Sequence, residues 1–314
     1  MSRVWYLHKF WIIGVVAAYL GVSRPAWTDE ACLTVLYPQV REPYRAVLDE
    51  IMAGIEQAAS MKVKRVAVPE DDAGEPLADR PECSAVIGLG RAGLKAASPF
   101  VSRMPVVAGA VLMQPGQSAE VPTISFLPDS EALFTRLKYF LPGVKTVTVV
   151  YDPEHSEALV EQAARTAKRM GIRLVAHKAR DLQDAAQLYK RLLAESDPAH
   201  DAIWLIRDAA TIDSGAVLTL VLEQAWKRRL VVFSDQPTHV KYGVLFSVYP
   251  DNVKLGERLA RLAEKCAIGA CNGHQVMLLT DLGTAVNSRT AQRLGIHIDR
   301  RNGPYTDLVL PASQ

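Results

Sequence analysis

The chain has 314 residues, of which 49% are hydrophobic and 22% are charged, and this composition suits one large soluble domain or two ordinary ones. Its formal net charge is +2, and without residues 1–28 the balance becomes 33 basic against 34 acidic residues. Such a balance supplies no basic surface field, so it argues against nucleic acid or an anionic membrane surface as a partner.

The N-terminus has the pattern of a secretory signal. Arg3, His8 and Lys9 precede an apolar run at residues 10–22. This run is short for crossing a bilayer but matches the hydrophobic part of a signal peptide. We predict a signal peptide at residues 1–28, a periplasmic location and no stable membrane insertion after cleavage. An uncleaved membrane anchor is the alternative.

The four cysteines suit an exported protein. Cys32 and Cys83 each precede a predicted strand, and these strands would be neighbours in a doubly wound sheet. Cys266 and Cys271 flank a turn at the end of a predicted helix. We therefore expect two disulfides, Cys32–Cys83 and Cys266–Cys271, with four buried free thiols as the alternative.

The first part of the chain predicts an α/β lobe with the order β-α-β-loop-β-α-β. Its predicted strands lie at residues 32–37, 63–68, 84–88 and 105–110, with helices at about 44–59 and after Gly88. A polar loop at 70–82 stands where a typical repeat would place another helix. This order favours a parallel sheet with right-handed crossovers.

The stretch from Ser125 to Ser156 organises the rest of the chain. It predicts an extended crossing segment, a helix and a buried strand at 146–151 that begins a second α/β lobe. Further predicted elements of this lobe are helices at 154–170, 181–195 and 214–228 and strands at 173–177, 202–206 and 230–233. An extended run at 243–248 then leaves the lobe. The helix at 252–267 returns to the first lobe, and TAVNSRTAQRLGIHI crosses once more.

These elements predict an α/β fold of two doubly wound, Rossmann-like parallel-sheet lobes joined by crossing hinge strands. The predicted N-terminal lobe comprises residues 29–125 and 249–280, and the predicted C-terminal lobe comprises 126–248 and 281–314. Neither lobe is contiguous in sequence. We expect the function at the mouth between the lobes.

The run from Gly88 to Gly93 fits G-x-G-x-x-G, after a strand and at a helix start. A dinucleotide site would need an acid about 20 residues further on, and the stretch from Ala108 to Met113 has none. We therefore expect no cofactor. The helix start and Arg91 instead suit a carboxylate or phosphate. Glycines needed only for tight helix–sheet packing, and a solvated Arg91, are the alternatives.

The other candidate binding residues follow the carboxyl ends of predicted strands, where open α/β sheets bind ligands. The predicted ligand-binding set is Tyr37, Gln39, Gly90, Arg91, Tyr151, Arg207, Asp208, Asp235 and Tyr249, with Val111 to Gln114 on the same rim. The tyrosines suit stacking on a flat ligand, and the acids suit an ammonium or hydroxyl group. The alternatives are that the tyrosines cover the cores and that the acids, like Asp152, cap helices.

Sequence signatures of catalysis are absent. The chain contains no G-x-S-x-G elbow, no H-E-x-x-H and no P-loop lysine. The cysteine spacing is a poor metal signature and no histidine pair accompanies it. We therefore predict a protein that is not an enzyme and holds no metal.

Three segments resemble one known family. LPGVKTVTVVYDP, GVLFSVYPDNVKLGERLARLAEK and AVNSRTAQRLGIHI are similar to ABC transporter substrate-binding proteins of the tryptophan- and tyrosine-binding type. The resemblance implies the type I periplasmic binding protein fold. It also implies that a ligand lies between the two lobes, in contact with Tyr37, Gly90, Arg91, Tyr151, Asp208, Asp235 and Tyr249.

The function implied is that of a periplasmic solute-binding component of an ABC importer. It would capture a small organic ligand, carboxylate- or amino-acid-like, and deliver it to a membrane permease. The lobes would close by hinge motion near Ser125, Val248 and Asp281. The alternative, motivated by the polar loop in the first lobe, is an exported sensor or interaction module that presents its liganded state to a membrane receptor.

Overall fold

The computed structural model describes residues 31–70, 83–213, 215–271, 273, 275–299 and 303–311. The predicted signal peptide and residues 71–82 of the predicted polar loop lie outside the described residues. From Ala31 onward the chain forms one compact unit built on two sheets.

The elements up to the first crossing are β1 (Cys32–Pro38), α1 (Tyr44–Ala58), β2 (Lys62–Val68), β3 (Ala85–Leu89), α2 (Gly90–Ala97), β4 (Val106–Val111) and β5 (Thr123–Pro128). Those that follow are α3 (Ser130–Phe140), β6 (Thr146–Tyr151), α4 (Pro153–Arg169), β7 (Arg173–Lys178), α5 (Leu182–Glu195), β8 (Asp201–Leu205), α6 (Ala216–Arg228), β9 (Val231–Ser234), α7 (Thr238–Tyr242) and β10 (Phe246–Pro250). The chain continues with α8 (Asn252–Ala267), β11 (Val276–Leu279), β12 (Leu282–Asn287), α9 (Ser288–Leu294) and β13 (Leu308–Leu310).

The first sheet has six parallel strands in the order β11-β5-β4-β3-β1-β2. The second has seven strands in the order β13-β12-β10-β9-β8-β6-β7, and β12 is antiparallel to β10. We call each sheet with its packed helices a lobe. The expected α/β fold of two mostly parallel sheets is confirmed.

Helix α8 packs on α1 in the first lobe. A Cβ on Gly54 would lie 1.9 Å from Val253 O, and one on Gly256 would lie 2.0 Å from Ile51 O. These glycines therefore let the two backbones touch, which no larger residue would allow. Leu255 of α8 lies in the same core as α1, although α8 follows a strand of the second sheet.

Three short segments join the lobes. The first two are both Pro-Asp: Pro128-Asp129 links β5 to α3, and Pro250-Asp251 links β10 to α8. In each, the aspartate caps the helix that follows, since Asp129 accepts from Glu131 N and Asp251 accepts from Lys254 N. The third segment, residues 280–281, joins β11 to β12 directly.

Both predicted disulfides are present. Cys32 at the start of β1 is bonded to Cys83, which lies shortly before β3, the neighbour of β1. Cys266 and Cys271 close the end of α8. The Cα atoms are 4.7 Å apart in both bonds.

Four of these helices and strands were not predicted: α7, α9, β11 and β13. They have five, seven, four and three residues, which is too short for a periodic apolar pattern to stand out. The run predicted as extended from Gly243 therefore begins as a turn after α7, and its strand starts only at Phe246.

Candidate functional site

The carboxyl ends of the parallel strands of both lobes lie towards the junction, because β5 and β10 run into the crossing segments at their carboxyl ends. In the second lobe, β6, β8 and β9 end beside one another in the sheet. Shortly after each end comes an aspartate: Asp152, Asp208 and Asp235. These three acids form the polar edge of the second lobe.

Two of the three acids are occupied by hydrogen bonds within the protein. Asp152 caps α4, accepting from Glu154 N at 2.9 Å, and its other oxygen lies 2.6 Å from His155 Nδ1. Asp208 accepts from Asp152 N at 2.6 Å and from Ala210 N at 3.0 Å. Asp208 thereby ties the end of β8 to the end of β6.

Asp152, Glu154 and His155 place possible metal-ligand atoms within 4.8 Å of one another, the one such group among the described residues. Both oxygens of Asp152 already have partners, and Glu154 and His155 are exposed. We assign this group the role of a helix cap. The His155 ring lowers the pKa of Asp152, and Asp152 raises the pKa of His155.

Asp235 differs from both. It is 4% exposed, and neither of its carboxylate oxygens has a hydrogen-bond partner among the described residues. Burial raises its pKa to about 6, although the neighbouring Arg207 acts to lower it. A buried carboxylate that has no hydrogen-bond partner is costly, so a donor placed within hydrogen-bonding distance of Asp235 would be stabilising.

His239 of α7 lies under this edge. Its Nδ1 is 2.9 Å from Ser234 Oγ, which is also 2.9 Å from Leu205 O. Burial and the charge of Arg207 lower the pKa of His239 to about 4, so the ring is neutral at pH 7. The His239–Ser234 pair thus joins the ends of β8 and β9 without adding charge.

Tyr151 and Tyr249 are both covered by the protein. Tyr151 is 3% exposed, its ring lies in the core of the second lobe, and its hydroxyl lies 3.0 Å from Glu157 Oε1. Tyr249 is half-buried against Gly283, where a Cβ would come within 2.5 Å of its ring. Burial raises the pKa of both hydroxyls. For Tyr151, this favours the alternative interpretation that the ring covers the core.

In the first lobe, the glycines of the G-x-G-x-x-G motif have two different roles. A Cβ on Gly88 would lie 2.9 Å from Gly93 O, and one on Gly93 would lie 2.3 Å from Leu36 O, so both permit tight helix–sheet packing. Gly90 instead has φ 67° and faces only Pro38, at 3.6 Å. It opens α2, and Arg91 beside it is exposed.

Tyr37 and Gln39 lie at the end of β1, close to Gly90 through their neighbour Pro38. Tyr37 is half-buried and packs on the first-lobe core, whereas Gln39 is exposed. The backbone N–H of Gln39 donates to Val68 O at 2.9 Å. The first-lobe edge therefore offers backbone groups, one amide and one guanidinium.

The end of β4 carries a bulge. Ala110 has φ 58°, and the pairing with β5 shifts register there. Buried Ser125 holds the bulge, because its Oγ accepts from Met113 N at 3.1 Å and donates to Val111 O at 3.2 Å. The result presents Leu112 to solvent, 57% exposed. Bulges and positive φ at non-glycine residues recur beside functional sites.

Comparison with known proteins assigns the chain. A family model described as ABC transporter substrate binding protein matches residues 105–302, more than half of the chain. The chain belongs to this family.

Solved structures agree with this fold at low sequence identity. The substrate-binding protein has 15% identity and a TM-score of 0.61 to the ligand-free, open structure of CD0873, a substrate binding protein with adhesive properties from Clostridium difficile, covering 89% of this chain and 99% of that one. The ABC domain from Streptococcus pneumonia in complex with L-Trp has 18% sequence identity and a TM-score of 0.50, and the match covers 90% of this chain and 100% of that one. A conserved domain protein from Vibrio cholerae has 19% sequence identity and a TM-score of 0.50, and the match covers 89% of this chain and 99% of that one.

The fold is therefore that of the type I periplasmic binding proteins.

A search of curated proteins gives no match. Among the described residues, no helix combines the length and apolar character needed to cross a bilayer.

The structure brings several of the predicted residues together. Arg207, Asp208 and Asp235 lie together on the second-lobe edge of the substrate-binding protein, as do Tyr37 and Gly90 on the first-lobe edge. Sequence reasoning missed His239 because α7 is too short to recognise. It missed the bulge on Ser125 because its hydrogen bonds span up to 14 residues of irregular chain. No sequence pattern distinguished the occupied Asp208 from the unpaired Asp235.

Proposed function

We propose that this protein is the periplasmic solute-binding component of an ABC importer. It captures a small, amino-acid-like or carboxylate-bearing ligand between its lobes and delivers it to a permease. Membership of the substrate-binding family supports capture, and the disulfides support an oxidising compartment. The observation that carries the ligand class is the chemical difference between the two lobe edges.

The first-lobe edge supplies groups for an anion. The N–H groups at the start of α2 carry partial positive charge, and Arg91 adds a full one beside them. The second-lobe edge supplies Asp235, a carboxylate that lacks a donor. A ligand with a carboxylate at one end and an ammonium at the other satisfies both edges only when the lobes close on it. L-Trp, named with the Streptococcus structure, has this chemistry.

A ligand screen tests the proposal. Thermal shift with amino acids, purines and aromatic carboxylates identifies a hit, and scattering then measures closure. We expect the radius of gyration to fall at saturation, because a ligand that contacts both lobes stabilises the closed state. An unchanged radius at saturation would contradict closure.

Arg91 provides the variant for the same screen. Arg91→Ala should weaken binding of an anionic hit by about 1.5–3 kcal/mol, the range for hydrogen bonds to charged groups, and Arg91→Lys should recover part of it. The matched control is Arg103→Ala, another exposed first-lobe arginine, which lies before β4 at the opposite end of the sheet. Equal affinities for wild type and Arg91→Ala would leave Arg91 as a solvated side chain.

A further inference from the structure

The third crossing joins a strand of one lobe directly to a strand of the other. Strand β11 of the first sheet ends at Leu279, and β12 of the second sheet begins at Leu282. Only Thr280 and Asp281 lie between them. Any change in the angle between the two sheets must be absorbed at this crossing within very few residues.

The first lobe holds the start of this crossing through Arg258 of α8. Its Nη1 donates to Thr280 Oγ1 at 2.8 Å and to Asp281 Oδ2 at 3.1 Å. The backbone adds a third contact, because Asp251 N donates to Asp281 O at 3.0 Å. Residues 280 and 281 are thereby fixed to the first-lobe helix α8 and its cap.

The second lobe holds the next residues through Arg136 of α3. This side chain is 8% exposed, and its Nη2 donates to Leu282 O at 2.6 Å while its Nε donates to Thr284 Oγ1 at 2.8 Å. A third bond, from Nη1 to Ala132 O at 2.8 Å, fixes the guanidinium to its own helix. Arg136 therefore fixes two residues of β12, Leu282 and Thr284, to α3.

The C-terminal segment also contacts Arg136 and the start of β12. The guanidinium of Arg136 lies 4.8 Å from the centre of the Tyr305 ring, a cation–π contact. Asp307 accepts from Thr284 N at 2.7 Å. The residues just after the crossing are therefore held from both sides, by α3 and by the segment that leads into β13.

We propose that the third crossing bends at the peptide between Asp281 and Leu282, and that Arg136 is the positioning residue that fixes its second-lobe side. This inference rests on the proposed closure of the lobes. Arg258 and Arg136 hold adjacent residues to different lobes, so the backbone rotation that closure requires is confined between them. Arg136 then sets how widely the empty protein opens.

The test needs no ligand, so it is independent of whether a ligand has been found. Amide hydrogen exchange and the distance between lobes, from spin labels on unnatural residues, are measured for Arg136→Gln and Arg258→Gln. We expect exchange at residues 282–284 to rise about tenfold or more in Arg136→Gln, as for loss of one charged hydrogen bond, with residues 280–281 unchanged. Arg258→Gln should give the reverse pattern.

The interlobe distance distribution should broaden in Arg136→Gln and return towards wild type in Arg136→Lys. Thr284→Val, which removes one acceptor and keeps the arginine, should show the same effect more weakly and serves if Arg136→Gln does not fold. Tyr305→Leu, which removes the ring that lies against Arg136, should also broaden the distribution, and Tyr305→Phe, which keeps the ring, is its matched control. Exchange that rises equally on both sides of the 281–282 peptide, or an unchanged distance distribution, would overturn the proposal.

Discussion

The two lobes differ in their covalent bonds and in the charge of their edges. Both disulfides belong to first-lobe elements, and the first-lobe edge carries the start of α2 and the exposed Arg91. The second lobe has no disulfide among its described residues and places three aspartates on its edge, of which only Asp235 lacks hydrogen-bond partners. The comparison separates groups whose hydrogen bonds or covalent bonds stabilise a lobe from groups that have no such partner.

The largest expected effect concerns the covalent bonds of the first lobe. Removing Cys32–Cys83 by a double alanine variant should lower the free energy of unfolding by about 4 kcal/mol, since the bond spans 51 residues. The pair Cys266–Cys271 spans 5 residues and should contribute about 2 kcal/mol. Urea unfolding of both double variants measures the difference. Equal losses would show that loop length does not set the contribution.

In the second lobe, the hydrogen-bonded Asp208 should contribute more to stability than the unpaired Asp235. Asp208→Ala should lower the free energy of unfolding by about 3 kcal/mol, because it leaves the N–H groups of Asp152 and Ala210 without their acceptor. Asp235→Asn is the matched control and should not destabilise the protein. If the two variants unfold at the same denaturant concentration, the distinction between the acids is wrong.

The pH dependence of stability should report Asp235. Because its folded pKa is raised from 3.8 to about 6, the folded state binds more protons than the unfolded state between these values. Stability should therefore fall as pH rises through about 4 to 6, by on the order of 2 kcal/mol from this group. Unfolding curves of wild type and Asp235→Asn at both pH values isolate the contribution. A difference between the proteins that does not change with pH would contradict it.

The smallest effect is expected at the apolar rim of the first lobe. Leu112→Ala should weaken binding of a hit with an aromatic or aliphatic group by about 1 kcal/mol through lost apolar burial, with no change in melting temperature. Leu308→Ala, another exposed leucine but in the second lobe, is the control. Calorimetry of the three proteins with one ligand decides. Undiminished affinity of Leu112→Ala would remove Leu112 from the site.

Local sequence signals predicted most of the fold. The strand at 146–151 and the helix at 252–267 have the predicted boundaries, because long apolar or periodic runs are explicit in the sequence. The Asp-Pro-Glu pattern also predicted the N-cap role of Asp152, which the structure has. Signals of this kind depend only on neighbours within about one helical turn.

The remaining features depend on partners far along the chain. Asp208 acquires its structural role from Asp152, 56 residues away, and Arg136 acquires its role from Thr284, 148 residues away. A single sequence does not reveal such pairings. For the same reason the sequence predicted Asp208 and Asp235 as binding candidates but not which of them is unpaired.

The position of β11 has a consequence for the order of folding. It pairs with β5, although about 150 residues separate them in sequence, whereas β6, β7, β8 and β9 of the second sheet follow one another closely. The second sheet can therefore begin to assemble from nearby segments, while β5 of the first sheet lacks its outer neighbour until the chain is nearly complete. Such long-range closure slows folding, and an unpaired edge invites aggregation. Truncation before Val276 should accordingly yield a first lobe that associates with other chains.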